Sequence, residues 1–196
     1  LVGSEMCIRD RHICFAYDDI VYSYGNYDSD SFHLNQTIGD GIFFTVPLEK
    51  YIPNMISAEN NSIFEYGIYT TSKQNALIEK EIEKIRQNGY RWYTKIEKED
   101  GYDRFSEYEM DYPSRLHYRT GAKLYKVKSG KFHIYWALGD NCASFTDLVL
   151  GTLGADVLSI RGIISPGTYL DWLQKEYLKK NSPIVFRRIY KEWDSK

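Results

Sequence analysis

The chain has 196 residues, a formal net charge of −2, 43% hydrophobic residues and 27% charged residues. This composition is ordinary for a globular protein, and the length is sufficient for one domain with a sizeable core. The near-neutral charge argues against a nucleic-acid partner, and no long apolar run indicates a membrane-spanning helix. Three cysteines without CxxC or CxxH spacing predict neither a disulfide framework nor a zinc site, and we expect no metal and no cofactor.

The first eleven residues differ in character from the rest of the chain. Residues 1–11 have neither helical nor strand periodicity. They resemble the translated sequencing-adapter read-through found at the ends of some reading frames, so we interpret them as a non-native scar and place a single domain at residues 12–196. On this interpretation a signal peptide or lipid anchor upstream of His12 would be missing from the given sequence, so the sequence does not exclude membrane association.

The regular part of the chain opens with a predicted hairpin. Residues 12–17 and 20–25 alternate as strands around an Asp18-Asp19 turn. A polar loop at 26–31 precedes two further predicted strands, at 42–46 and 63–69. A short helix is predicted between them, at 47–51, and a loop at 59–62.

A strong helix signal follows. Thr71 and Gln74 fit a capping box, and Asn88-Gly89 supplies a stop. The apolar positions of this helix share one face, namely Leu77, Ile78, Ile82 and Ile85.

Residues 94–121 are the least regular part of the chain. Residues 95–103 are charged and predict a loop, whereas 104–118 fits either a short helix or an irregular flap. Two alternating runs, 122–127 and 132–138, then predict a hairpin that turns at Ser129-Gly130.

The last elements are two helices and a strand. Apolar spacing predicts a helix from Phe145 to Leu153 with Gly154 as its terminating residue, and Ser165-Pro166 begins another that runs to Tyr177. A final strand is predicted at 184–190. Together the elements predict an α+β fold with an antiparallel sheet packed against helices.

One cysteine occupies a chemically suggestive position. Cys142 lies between the predicted strand 131–138 and the helix at Phe145, within the first turn of that helix. Unpaired N–H groups and the positive end of the helix dipole favour the thiolate there, which makes Cys142 a candidate nucleophile. The alternative is a small buried hydrophobic side chain, as most free cysteines are.

A thiol nucleophile requires an imidazole within hydrogen-bond reach. His133 is separated from Cys142 by nine residues of predicted strand and turn, so an extended chain keeps the two apart. His12 is distant in sequence, and a sheet can place its strand beside the cysteine helix. For any single histidine a structural or surface role is the more common one, and spacing alone places His12 only slightly ahead of the other histidines as the base.

A family resemblance strengthens this pairing. His12 followed by Val21-Tyr22-Ser23-Tyr24-Gly25-Asn26-Tyr27-Asp28 resembles the "v-Y-x-Y-G-x-[FY]-D" opening of the bacterial domain-of-unknown-function 4105 family. The segment 64–74 is similar to that family's "l-x-L-T-x-x-Q" segment. The stretch 141–148 resembles its Asn-Cys motif, and also the "N-C-x-x-F" of the lecithin–retinol acyltransferase type. Phe145 stands where the first family often has arginine.

Both groups look like circularly permuted relatives of NlpC-type, papain-like hydrolases, in which a histidine strand precedes the cysteine helix. The resemblance therefore implies a permuted papain-like fold with Cys142 and His12 as the catalytic pair, and a bacterial cell-envelope or extracytoplasmic location. It leaves the group that orients the imidazole open, with Ser23, Asn26 or a backbone carbonyl as candidates, and it assigns Asn141 to shaping the turn. Several tyrosines fit either a substrate groove or simple packing: Tyr22, Tyr24, Tyr27, Tyr108, Tyr112 and Tyr118.

Three functions are compatible with this sequence. The first is a cysteine amidase or peptidase acting on peptidoglycan or another peptide. The second is an acyltransferase or thioesterase acting on acyl lipids with the same catalytic pair. The third is a binding domain that keeps the fold without the activity.

Overall fold

The computed structural model describes residues 3–9, 12–99, 106–153 and 165–191, with side chains from residue 12 onward. Within these residues the strands are β1 Gly3–Arg9, β2 His12–Tyr17, β3 Ile20–Gly25, β4 Ile38–Asp40, β5 Ile42–Pro47, β6 Ile63–Tyr69, β7 Gly89–Trp92, β8 Lys123–Val127, β9 Ile134–Trp136 and β10 Ile184–Tyr190. The helices are α1 Leu48–Pro53, α2 Ser72–Gln87, α3 Lys95–Lys98, α4 Tyr112–Thr120, α5 Cys142–Leu150 and α6 Pro166–Tyr177. No helix among these residues is both long enough and apolar enough to cross a membrane.

Eight of the strands form one sheet in the order β10-β6-β1-β2-β3-β5-β8-β7. Every neighbouring pair in this sheet is antiparallel. Strands β4 and β9 form a separate two-stranded ribbon. The predicted α+β class with an antiparallel sheet and a cysteine-bearing helix is confirmed.

Strand alternation gives the sheet two apolar faces. The first face packs against α2, α5 and α6 through side chains such as Phe15, Tyr24, Phe43, Ile78, Phe145, Val149 and Leu173. The second face packs against α1 and α4 through side chains such as Cys14, Val21, Phe44, Tyr51, Leu116 and Leu124. The central strands β2, β3 and β5 are therefore covered on both sides.

Local signals in the sequence are reproduced closely. The β2–β3 hairpin turns at Asp18 and Asp19, whose φ angles of 50° and 57° fit the tight turn that a two-residue hairpin requires. Thr71 Oγ1 accepts from the Gln74 N–H while Gln74 Oε1 accepts from the Thr71 N–H, so α2 begins with the predicted capping box. Helix α6 begins as predicted, with Ser165 as its N-cap.

In the irregular region one prediction is wrong and one open alternative is decided. Residues 95–103 were expected to form a loop, but Thr94 and Glu97 make a capping box that starts α3 inside this segment. For the segment that fitted either a helix or a flap, the structure has α4, with Asp111 as N-cap and Gly121 in the left-handed conformation after its end. The predicted terminating residue Gly154 lies outside the described residues.

The predicted hairpin between residues 122–127 and 132–138 is wrong. Strand β8 pairs with β5 and β7, whereas β9 is only three residues long and pairs with β4. The chain leaves the main sheet at Gly130 and Phe132, which have φ angles of 75° and 68°. These left-handed residues redirect the backbone, so the second run cannot lie back along the first.

The amino-terminal segment is also more regular than expected. Gly3–Arg9 forms β1 and pairs with β2 on one side and β6 on the other. The prediction that this segment lacks strand structure is therefore wrong. Ladder hydrogen bonds use backbone groups only, so a segment without alternating side chains can still complete a sheet. Its interpretation as a non-native scar concerns origin and stays a prediction.

Gly67 offers a test of how tightly the edge of the sheet is packed. A Cβ added at Gly67 would lie 2.0 Å from the Phe186 ring, so Gly67→Ala forces that ring to move. We expect a loss of about 1–3 kcal/mol in the free energy of unfolding, measured by urea denaturation. Gly151→Ala is the matched control, because its nearest neighbour would be 3.7 Å away and its φ is −57°. Equal stability of the two variants would contradict this packing.

Candidate active site

Cys142 is the first residue of α5, and Asn141 is the N-cap. Asn141 Oδ1 accepts from the N–H groups of Ala143 at 2.9 Å and Ser144 at 3.1 Å, and Asn141 Nδ2 donates to the Ala137 carbonyl at 3.0 Å. The Asn141 N–H in turn donates to Ser144 Oγ, which completes a capping box. The expected role of Asn141 in shaping the turn is confirmed.

Phe145 fixes the position of α5 on the first face of the sheet. Its side chain is 1% exposed and lies against four aromatic rings, those of Phe15, Tyr24, Phe43 and Phe132, at centroid distances of 4.9–6.3 Å. Phe145 is therefore a core residue. A side chain so deeply buried has no surface left for a substrate contact.

The thiol of Cys142 lies in a buried pocket of backbone donors. The side chain is 2% exposed, and its sulfur accepts hydrogen bonds from the N–H groups of Ile13, Ala143 and Cys142 itself. Burial nevertheless raises the pKa of the Cys142 thiol to about 11, because the three N–H groups offset the loss of solvation only in part. The expectation that the helix start favours the thiolate is thus wrong for the resting protein.

His12 is the chain neighbour of the residue whose N–H reaches the Cys142 sulfur. His12 precedes Ile13 and is the first residue of β2, so the two Cα atoms are about 3.8 Å apart. His12 Nε2 lies 2.6 Å from Ser23 Oγ, on the neighbouring strand β3. Ser23 Oγ is in turn 3.2 Å from Tyr27 Oη.

Of the two predicted side-chain candidates for orienting the imidazole, the structure places Ser23 against His12. Asn26 Nδ2 instead donates to the Gln36 carbonyl at 2.6 Å on the surface. Tyr27 reaches back to Ser23 because Gly25 leaves room for its ring, and a Cβ at Gly25 would lie 2.9 Å from it. The alternating Tyr-x-Tyr-Gly-x-Tyr pattern therefore encodes a polar chain from His12 through Ser23 to Tyr27.

Three tyrosines feel the charge of the Cys142 sulfur. Burial raises the pKa of Tyr24, Tyr27 and Tyr135, and the Cys142 sulfur adds to this effect on each phenol. Tyr135 comes from β9 of the ribbon, and sequence reasoning missed it. Its signal was present as the inward-facing position of an alternating run that ends just before the cysteine turn.

The remaining candidate tyrosines have diverse positions. Tyr22 is a buried core residue, whereas Tyr112 stacks on Tyr27 with ring centroids 5.9 Å apart. Tyr108 is 99% exposed and Tyr118 is 51% exposed. Only Tyr24, Tyr27 and Tyr112 thus lie at or beside the cysteine–histidine region.

Two of the other histidines have structural partners. His117 Nδ1 lies 2.8 Å from the Ala122 carbonyl and His133 Nδ1 lies 2.8 Å from the Val127 carbonyl. His33 lies in an exposed turn that forms a bridge with Ile38. Within the described part of the chain, no group of three or more His, Cys, Asp or Glu side chains could hold a metal ion.

Comparison with known proteins gives no match for this chain among protein-family models, curated proteins or solved structures.

The cap of α5 can be tested separately from any activity. Asn141→Ala removes an acceptor for two N–H groups and a donor to the preceding turn, so we expect a loss of about 1–2 kcal/mol in unfolding free energy. Asn141→Asp keeps the acceptor and loses the donor, and we expect a smaller loss. Urea titrations of both variants measure the difference. If Asn141→Ala were as stable as the wild type, the cap would not hold the turn.

The protonation state of Cys142 is accessible through alkylation. Because burial raises its pKa to about 11, the thiolate is a small minority at pH 7 and grows as pH rises toward that value. We expect the rate of modification by iodoacetamide, followed at the Cys142 peptide by mass spectrometry, to climb through pH 8–10 without a plateau. A rate that is already pH-independent below about pH 7 would instead identify a preformed thiolate–imidazolium pair.

Proposed function

We propose that this chain is a thiol-dependent acyl hydrolase in which Cys142 is the nucleophile and His12 the general base. The observation that carries the proposal is the hydrogen bond from the Ile13 N–H to the Cys142 sulfur, which joins the cysteine helix to the residue next to His12. The 2.6 Å contact between His12 Nε2 and Ser23 Oγ supports it, because an oriented imidazole is what such a base requires.

The proposed pair comes from opposite faces of the sheet and requires the two side chains to approach each other at its end. Strand alternation puts His12 on the second face, with Cys14 and Ser23, whereas α5 packs on the first face. His12 is the first residue of β2, and the Cys142 thiol raises the pKa of Tyr27, which lies on the second face. This influence across the sheet end supports a thiol that is within reach of both faces.

The raised thiol pKa favours general-base catalysis over a resting ion pair. In the proposed reaction His12 Nδ1 takes the Cys142 proton as the sulfur attacks the substrate carbonyl, and the carbonyl oxygen becomes an oxyanion. The imidazolium then gives its proton to the leaving amine or alcohol, which leaves an acyl group on the sulfur. Water, deprotonated by the same imidazole, cleaves that thioester and restores the thiol.

The oxyanion donor in this scheme is the N–H of Cys142. The N–H of Ala143 is held by Asn141 Oδ1 at 2.9 Å, whereas the N–H of Cys142 faces its own sulfur and would turn to the oxyanion once the sulfur attacks. A backbone N–H at a helix start also benefits from the positive end of the helix dipole.

Ser23 is the positioning residue for the imidazole. It shares a hydrogen bond with His12 Nε2, and the proposed mechanism assigns the exchange of protons with the thiol to Nδ1. A neutral hydroxyl orients the ring but stabilises an imidazolium less than a carboxylate does. The site therefore suits a mechanism in which His12 is neutral before the reaction begins.

The proposed substrates are amides of peptides or peptidoglycan, as the resemblance to the domain-of-unknown-function 4105 family and to permuted papain-like hydrolases implies. Acyl lipids are the alternative that the lecithin–retinol acyltransferase resemblance implies. One observation favours a third function, a binding domain without activity, namely the 2% exposure of Cys142. Substrate access to the sulfur requires a small movement of the side chains around it.

Substitution of the pair provides the test. We expect Cys142→Ala and His12→Ala each to lower the rate of hydrolysis by about 10³-fold or more, because nucleophile and base act as a unit. The measurements are release of products from peptidoglycan fragments and detection of an acyl adduct on Cys142 by intact-protein mass spectrometry. An acyl lipid substrate in parallel assays separates the two enzymatic alternatives.

Cys14→Ala is the matched control, since Cys14 is a second buried thiol on the same strand as His12 and its sulfur contacts Tyr51 Oη at 3.8 Å. It should keep full activity, and Ser23→Ala should keep KM while lowering kcat by about tenfold or more. Activity that survives in folded Cys142→Ala protein would refute the proposed nucleophile. Absence of turnover and of any acyl adduct in the wild type would favour the binding domain.

A further inference from the structure

The ribbon of β4 and β9 carries an exposed apolar stripe beside the cysteine turn. Ile134 is 45% exposed, Trp136 is 47% exposed, Leu138 is 55% exposed and Leu34 is 73% exposed. Between Ile134 and Trp136, Tyr135 points inward and its ring contacts that of Tyr24 at a tilt, with centroids 5.6 Å apart, as strand alternation requires. We define the ribbon stripe as the outer face formed by Leu34, Ile134, Trp136 and Leu138.

The backbone holds the members of the ribbon stripe together. Ile38 lies directly opposite Trp136 in the ribbon, and the Ala137 N–H donates to the Thr37 carbonyl at 2.9 Å. The Thr37 N–H donates to the Leu34 carbonyl at 3.2 Å, which closes the turn that carries Leu34. The stripe is therefore a continuous feature of one ribbon and its turn.

Leu34 is displayed at a conformational cost. Three consecutive residues, Leu34, Asn35 and Gln36, have φ angles of 46°, 54° and 67°. The left-handed region is unfavourable for side chains with a Cβ, and leucine has no polar group to compensate locally. A costly turn that exposes an apolar tip indicates a contact outside the folded domain.

The charge around the stripe identifies the class of partner. No acidic residue occurs in 31–39 or in 128–139, whereas Lys128 and Lys131 are both exposed at one end of the stripe. Asp40, opposite Ile134, is neutralised by an ion pair with Lys126. Asp140 follows the stripe in the chain, and its carbonyl accepts from the Trp136 N–H at 3.0 Å. Within the described residues, exposed leucine and tryptophan with two exposed lysines and one unpaired acid nearby complement a membrane surface with anionic headgroups better than a basic one.

We propose that the ribbon stripe docks this domain on an anionic phospholipid surface. Leu34, Trp136 and Leu138 enter the headgroup–acyl boundary while Lys128 and Lys131 contact headgroup phosphates. The docked face adjoins the Cys142 turn, so the surface would bring that turn to the membrane. The proposal concerns binding alone and does not require the hydrolase activity.

Vesicle flotation tests it with the full chain. Vesicles contain either phosphatidylcholine alone or phosphatidylcholine and phosphatidylglycerol at two parts to one. We expect binding to the mixed vesicles that is at least about tenfold stronger than to neutral ones and weakens as salt rises above about 0.1 M. Brominated phosphatidylcholine should quench tryptophan fluorescence on binding, and Trp136→Phe should abolish most of that quenching.

The variants are chosen among exposed positions. Leu34→Ser and Leu138→Ser should each weaken partition by about tenfold, and Lys131→Glu should weaken it in the mixed vesicles only. Leu178→Ser is the matched control, because Leu178 is 72% exposed at the end of α6, outside the ribbon. Circular dichroism and thermal unfolding confirm that each variant is folded.

Several outcomes would overturn the proposal. One is that the protein binds neither type of vesicle. Another is that Leu178→Ser and Leu34→Ser weaken binding equally. A concentration-dependent dimer in sedimentation that Leu34→Ser dissociates would assign the stripe to a second copy of the chain instead. Because Cys142→Ala should bind vesicles like the wild type, failure of the hydrolase proposal leaves this result intact.

Discussion

The packing of Phe145 into the aromatic cluster is the constraint on which the site depends. Phe145 lies three positions after Cys142 along α5, so the ring that fills the core also fixes the position and rotation of the helix start. Three of the four rings that contact Phe145 come from β2, β3 and β5, which are the central strands of the sheet. A catalytic sulfur needs such rigid support, because small displacements of a nucleophile are costly in rate.

The burial that positions Cys142 also disfavours ionisation of its thiol. A helix start stabilises a nearby negative charge by roughly 0.3–1 kcal/mol, whereas removing a charge from water costs several kcal/mol. At Cys142 burial therefore dominates, and the pKa of the thiol rises although three N–H groups face the sulfur. A thiol kept neutral is protected from oxidation and alkylation until a base removes its proton. This makes the orientation of His12 more important than the electrostatics of the helix.

The sequence correctly predicted those features that depend on residues close together along the chain. The capping box at Thr71, the turn at Asp18-Asp19 and the N-cap role of Asn141 all follow from groups a few residues apart. It was misleading at 122–138, where two alternating runs joined by Ser-Gly fit a hairpin equally well. The pairing of β8 with β5 and of β9 with β4 depends on contacts with strands far along the chain, which local alternation cannot specify. For the site, motif resemblance singled out His12 and Cys142, but the placement of Ser23 against the imidazole needed the register of β2 and β3.

Strand β9 lies outside the main sheet. Its side chains can therefore cover the site, which they could not do if β9 formed a hairpin with β8. Because side chains alternate along a strand, β9 turns Tyr135 toward Tyr24 and the thiol while its neighbours Ile134 and Trp136 face solvent. The inner side of the ribbon thus closes the pocket around Cys142, and the outer side is free to meet a surface. Trp136 also lies over Gly139, where a Cβ would be 2.3 Å from the indole ring. One three-residue strand therefore packs a tyrosine against the aromatic core on one side and presents two apolar side chains to solvent on the other.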